Sequence, residues 1–98
     1  MEGRVTIAAC GFYGPQGRAL RIPLADEHQN AKIESFRHGH HCITNYEMES
    51  SAVAGLARLL GHKATTVCMV IANRYAKEMN TEYKNSIEVL IQKVLDRI

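Results

Sequence analysis

The sequence predicts an α/β layer built on largely parallel strands. Apolar, β-branched runs alternate with stretches of helical periodicity, in the order β–loop–α–β–α–β–α. The strand-like runs show little polar alternation, as expected of strands covered on both faces. With 98 residues, 46% of them apolar, the chain can supply the core of one small domain or part of a larger one. Three strands are few for a doubly covered parallel sheet. The sheet is therefore expected to be completed by another chain, or the chain to be part of a larger domain.

Residues 4–10, RVTIAAC, form the first expected strand, and Gly11 ends it. Residues 11–23 hold three glycines and two prolines and read as a loop. Residues 24–39 read as a modest helix, with Asp26 as N-cap, Gly39 as stop and a thin apolar stripe of Ala31, Ile33 and Phe36. A short strand over HCIT, residues 41–44, leads into the turn NYEMES. Residues 50–62 predict a helix capped by a serine and ended by Gly61, with Ala52, Val53, Leu56, Leu59 and Leu60 on its apolar face. Residues 64–74, ATTVCMVIANR, predict a second buried strand. Tyr83, Ile87, Leu90, Ile91, Val94 and Ile98 recur at helical spacing and predict the last helix.

The net charge of +2, without a lysine/arginine run, gives no footprint for nucleic acid. The longest apolar stretch, TTVCMVIA, is too short to span a bilayer, and Glu2 and Arg4 at the N-terminus form no signal-peptide pattern. Cys10, Cys42 and Cys68 are odd in number and far apart, which fits reduced thiols in a cytoplasmic protein.

Three pieces can carry chemistry. The loop FYGPQGR offers Phe12, Gln16 and Arg18. An aromatic face, an amide that both donates and accepts, and a guanidinium suit a planar heterocycle with imide and carbonyl groups. The same composition also fits an ordinary surface loop. In NYEMES, Glu49 lies at the positive end of a helix. A carboxylate there can accept from both hydroxyls of a vicinal diol, or simply complement the helix dipole. In VIANR, Asn73 and Arg74 leave the carboxyl end of a strand, where open α/β sheets place ligands. All three pieces follow strands and could converge on one cleft. His38, His40, His41 and Cys42 are possible metal ligands, but their spacing matches no zinc pattern and reads as a polar turn between helix and strand.

Taken together, FYGPQGR, NYEMES and VIANR resemble, in the right order, the base-recognition loop, ribose-binding turn and strand-end signature of the uridine phosphorylases, in the nucleoside phosphorylase family. The resemblance spans nearly the whole chain and implies the C-terminal part, residues 1–98, of one nucleoside-phosphorylase-like domain, with a mixed sheet and flanking helices. It implies that Phe12 packs on uracil, Gln16 bonds the O2 and N3 side, and Arg18 the O4 side. Ile71 and Ala72 would line the base pocket, with Arg74 approaching O4. Met48 and Glu49 would hold the ribose, with Glu47 supporting the turn. Gln16 and Arg18 would be catalytic, stabilising the leaving base. Purine-cleaving relatives carry an aspartate near the strand end; here Ala72, Asn73 and Arg74 stand there, which favours pyrimidine.

The resemblance implies phosphorolysis of uridine to uracil and ribose 1-phosphate, with inorganic phosphate as co-substrate and no further cofactor or metal. It also implies a pentosyltransferase that is a homo-oligomer at full length. The amino-terminal glycine loop and phosphate-binding arginines of the family have no counterpart in these residues. The chain alone is thus expected to be inactive, as a truncated product, a remnant or one piece of a split protein. Two alternatives stand beside this reading: a purine-nucleoside phosphorylase or nucleosidase relative, and a non-catalytic α/β module that pairs with another chain.

Overall fold

The computed structural model describes residues 3–98, so Met1 and Glu2 of the N-terminal reading lie outside it. The described chain divides into two compact units, one reaching to Thr66 and the other Val67–Ile98.

In the first unit, β1 (Gly3–Ala8) pairs in parallel with β3 (His41–Glu47), and β2 (Arg37–His38) pairs antiparallel on the other edge of β3. The result is a small mixed sheet in the order β1–β3–β2, with helices, as the family resemblance implies. The crossover between the parallel strands carries α1 (Gln29–Ser35), which packs on β3. The ladder slips by one residue: Val5 faces Ile43, but Thr6 faces Asn45, so Thr44 is an extra residue on β3. Such a bulge breaks the period of two. It puts Val5, Ile7, Ile43 and Tyr46, all half-buried, into corresponding ladder positions.

Several boundaries differ from expectation, each for a local reason. Helix α1 starts at Gln29, not beside Asp26. The Asp26 carboxylate accepts from the His28 N–H at 2.9 Å and pairs with Lys32 at 2.5 Å. That fixes a turn ahead of the helix rather than its first residue. These bonds hold the Asp26 carboxyl below its ordinary value, the Lys32 bond foremost. Nor does Gly39 end the helix. Phe36 already leaves helical geometry, and Gly39, at φ 59°, forms the tight turn of the β2–β3 hairpin with His40. Strand β3 runs three residues beyond Thr44, to Glu47.

Helix α2 (Ser50–Leu59) forms where its periodicity predicts, but none of its residues is buried. Leu59 is 84% and Leu60 71% exposed. Its start is not capped by its own serine. Glu47 accepts from the Glu49 N–H at 2.8 Å, the Ser50 N–H at 2.6 Å and the Ser50 hydroxyl. The two backbone N–H groups are ones that a helix start leaves without intrahelical partners.

The second unit corrects the expected strand over residues 64–74. Residues 62–71 are irregular, and only β4 (Ala72–Asn73) enters a ladder, antiparallel to β5 (Glu78–Met79). An extended segment becomes a strand only by pairing. Here the Asn73 side-chain oxygen Oδ1 accepts from the Tyr75 and Ala76 N–H groups at 3.2 Å and turns the chain back on itself. Val67, Val70 and Ile71 stay exposed. Asn80 then accepts from the Glu82 N–H at 3.0 Å and donates to the Ser86 hydroxyl at 3.2 Å, leading into α3 (Tyr83–Leu95).

Hydrogen bonds from Ser50, side chain first, hold the Glu47 carboxyl below its ordinary value of 4.5. The stabilisation this gives to the start of α2 is complete above pH 4.5 and is lost as pH falls through the lowered value. Glu47→Gln is expected to speed amide exchange at Glu49 and Ser50 at neutral pH and to flatten the acid limb of the helix's melting profile.

Candidate functional site

The loop after β1 is shaped by three backbone bonds and one glycine. The Tyr13 carbonyl accepts from the N–H groups of Gln16 (3.1 Å) and Arg18 (2.9 Å), and the Gly14 carbonyl accepts from Gly17 (2.8 Å). Pro15 pre-sets the intervening 3₁₀ turn, Gly14–Gln16. Gly17 then takes φ 74°, a left-handed conformation that a side chain would strain. The reversal brings Phe12, Gln16 and Arg18 together. Arg18 Nη1 donates to the Phe12 carbonyl at 2.5 Å and to Gln16 Oε1 at 2.7 Å. Its guanidinium carbon lies 3.8 Å from the centre of the Phe12 ring, a cation–π contact. Tyr13 meets that ring edge-on at 5.2 Å. Gln16 is only 6% exposed, whereas half of Phe12 is open to solvent. An aromatic face, an amide and a fixed cation thus form one cluster.

Two further residues hold this loop, and the sequence reading missed both. At the start of α1, Gln29 Nε2 donates to the Pro15 carbonyl at 3.2 Å and Asn30 Nδ2 to the Gly17 carbonyl at 2.8 Å. The available signal was the pair of adjacent amides opening a helix; periodicity says nothing of their reach.

Parallel pairing brings the NYEMES turn to the same sheet edge. Ala8 lies opposite Glu47, and the Ala9 N–H donates to the Glu47 carbonyl at 2.8 Å. The two acids of the turn differ. The Glu47 carboxylate is occupied at the start of α2, as described above. Glu49 is exposed; one of its oxygens accepts from the Met48 N–H at 3.2 Å. Met48 is exposed as well.

Ile71, Ala72 and Arg74 belong to the second unit. The Ile71 carbonyl accepts from Asn80 N–H at 2.7 Å, Ala72 pairs with Met79, and Arg74 opens the turn between β4 and β5. All three are exposed. His38 and His41 pair across the β2–β3 hairpin, with His40 in its turn and Cys42 next on β3. Among the described residues no group of three or more His, Cys, Asp or Glu side chains is placed to hold a metal ion. The three cysteines are unpaired. No described helix is long and apolar enough to cross a membrane. An open groove of about 900 Å³ runs beside the loop, lined by Tyr13, Pro15, Arg18, Leu20, Ile22 and Leu24 among others. Arg18 borders it; Phe12, Gln16 and Glu49 do not.

Known proteins match the chain in sequence. The family model described as "Phosphorylase superfamily" matches residues 2–98. Uridine phosphorylase A of Schistosoma mansoni is 39% identical over 72 residues, which cover 70% of this chain and 23% of that relative. The match thus spans about a quarter of the relative's length. No solved structure matches the chain significantly. With almost its whole length inside the family match, the chain belongs to the phosphorylase superfamily, the family of the nucleoside phosphorylases.

Proposed function

We propose that this chain carries the base and ribose contacts of a pyrimidine-nucleoside phosphorylase acting on uridine. The observation that carries the reading is the cluster of Phe12, Gln16 and Arg18 beside the turn of Glu47, Met48 and Glu49, both leaving one edge of the β1–β3 pair. The similarity to uridine phosphorylase A supports it.

In this reading uracil packs on the open face of Phe12. Gln16 and Arg18 hold its imide and carbonyl groups. Glycosidic cleavage leaves negative charge on the pyrimidine and positive charge on the sugar. Arg18, already oriented by Phe12 and Gln16, stabilises the departing base, with Gln16 as its hydrogen-bonding partner. Glu49 and Met48 hold the ribose, the carboxylate accepting from the diol while Glu47 fixes the turn. Inorganic phosphate attacks the anomeric carbon to give ribose 1-phosphate and uracil. None of the contacts above binds the phosphate, and the reaction uses no cofactor or metal. The full-length protein is a cytoplasmic homo-oligomer.

A second reading is a non-catalytic module that pairs with another chain. It draws on the position of β1 at one edge of the sheet and the exposed apolar face of α2.

Titration of the chain with uracil tests the base contacts. Arg18→Ala is expected to weaken uracil binding roughly tenfold or more, by loss of a charged hydrogen bond. Undiminished binding would remove the reading. Glu49→Gln is expected to weaken uridine roughly tenfold while leaving uracil unchanged, since only the nucleoside offers a diol. Incubated with uridine and phosphate, the chain alone is expected to release no uracil. Robust phosphate-dependent turnover would show that the nucleophile site is present and would remove the second reading.

A further inference from the structure

We infer that Gln29 and Asn30 are positioning residues for base recognition, holding Gln16 in register from outside the recognition loop. The inference rests on the proposed uracil contacts. The two amides are consecutive on the first turn of α1, and they grip the two carbonyls flanking Gln16: Pro15 before it at 3.2 Å and Gly17 after it at 2.8 Å. The backbone of Gln16 is therefore pinned on both sides while its side chain meets Arg18.

The Gly17 bond matters most. A glycine at φ 74° has the widest choice of other backbone states, so its peptide needs an external hold. Asn30 sits so close to the Gly17 α-carbon that a side chain at Gly17 would collide with it. Asn30 thus supplies both the donor and the wall. If the Gly17 peptide rotates, Gln16 and Arg18, on its two sides, change direction together. The bond between them, which sets which edge of a ring they read, is then lost. Helix α1 also packs on β3, so the brace is anchored to the strand that leads into NYEMES. Gln29 and Asn30 need no contact with the ligand to tune its recognition.

The test uses the 98-residue chain and NMR titration with uracil and with cytosine, which lacks the imide N–H. Asn30→Leu removes the donor at similar size; Asn30→Asp is the second variant should leucine prevent folding. The expected result is faster amide exchange at Gly17 and Arg18, with β1 and β3 protection intact. Preference for uracil over cytosine should narrow roughly three- to tenfold, the worth of one hydrogen bond. General loosening of the fold would lower both affinities and leave their ratio unchanged. A wild-type chain that binds uracil, with variants that keep the full ratio, overturns the positioning role alone. A wild-type chain that binds no uracil overturns the recognition reading and this inference with it.

Discussion

The parallel pairing of β1 with β3 is the constraint on which the first unit depends. A parallel ladder sends both strands out at the same edge, so the loop after one and the turn after the other become neighbours without a dedicated contact. Ala8 opposite Glu47 sets that meeting point. The crossover that parallel pairing demands also has to return the chain to the start of the sheet. In doing so it lays α1 where Gln29 and Asn30 reach the loop after β1.

Within that frame, most polar groups of the loop already have partners. Arg18 is tied to a carbonyl, an amide and a ring, and Gln16 is buried beside it. A buried amide costs free energy unless it is hydrogen-bonded, so Gln16 and Arg18 stabilise each other's placement. A ligand meeting this cluster has little side-chain freedom to remove, which keeps the entropic cost of binding low. The turn after β3 divides its two acids in a similar way. Glu47 is consumed by the helix start, and that leaves Glu49, two residues on, open to solvent.

How much of this was legible follows the reach of each signal. Strand β1 and helices α2 and α3 carry their period in their own residues, and they form where the sequence places them. The loop chemistry was legible as residue types, because Gly and Pro announce a tight loop and Phe12, Gln16 and Arg18 fall inside it. The brace from Gln29 and Asn30 was not, since it joins residues 13 or more apart through a crossover. The apolar run before β4 misled for the opposite reason. Its composition suits a buried strand, but burial and pairing are properties of neighbours, and the chain instead found a partner at Glu78 and Met79 through the Asn73 turn. The second acid of NYEMES was legible as a helix-start residue. That its neighbour Glu47 does the capping depends on backbone direction, which no spacing rule encodes.

The extra residue at Thr44 explains why β3 read as only a short strand: Ile43 and Tyr46 stand three apart, a helical spacing, yet correspond in the ladder to Val5 and Ile7, two apart. In counting terms the bulge is a change of parity. Every residue beyond it changes sides relative to an unbroken pleat, so Asn45 and Glu47 fall in line with Thr6 rather than against it. The face from which the helix-starting turn departs is therefore decided by chain length, by whether the count of residues up to it is odd or even. A loss of one residue there would preserve every side chain of NYEMES and still turn the whole motif to the other side of the sheet.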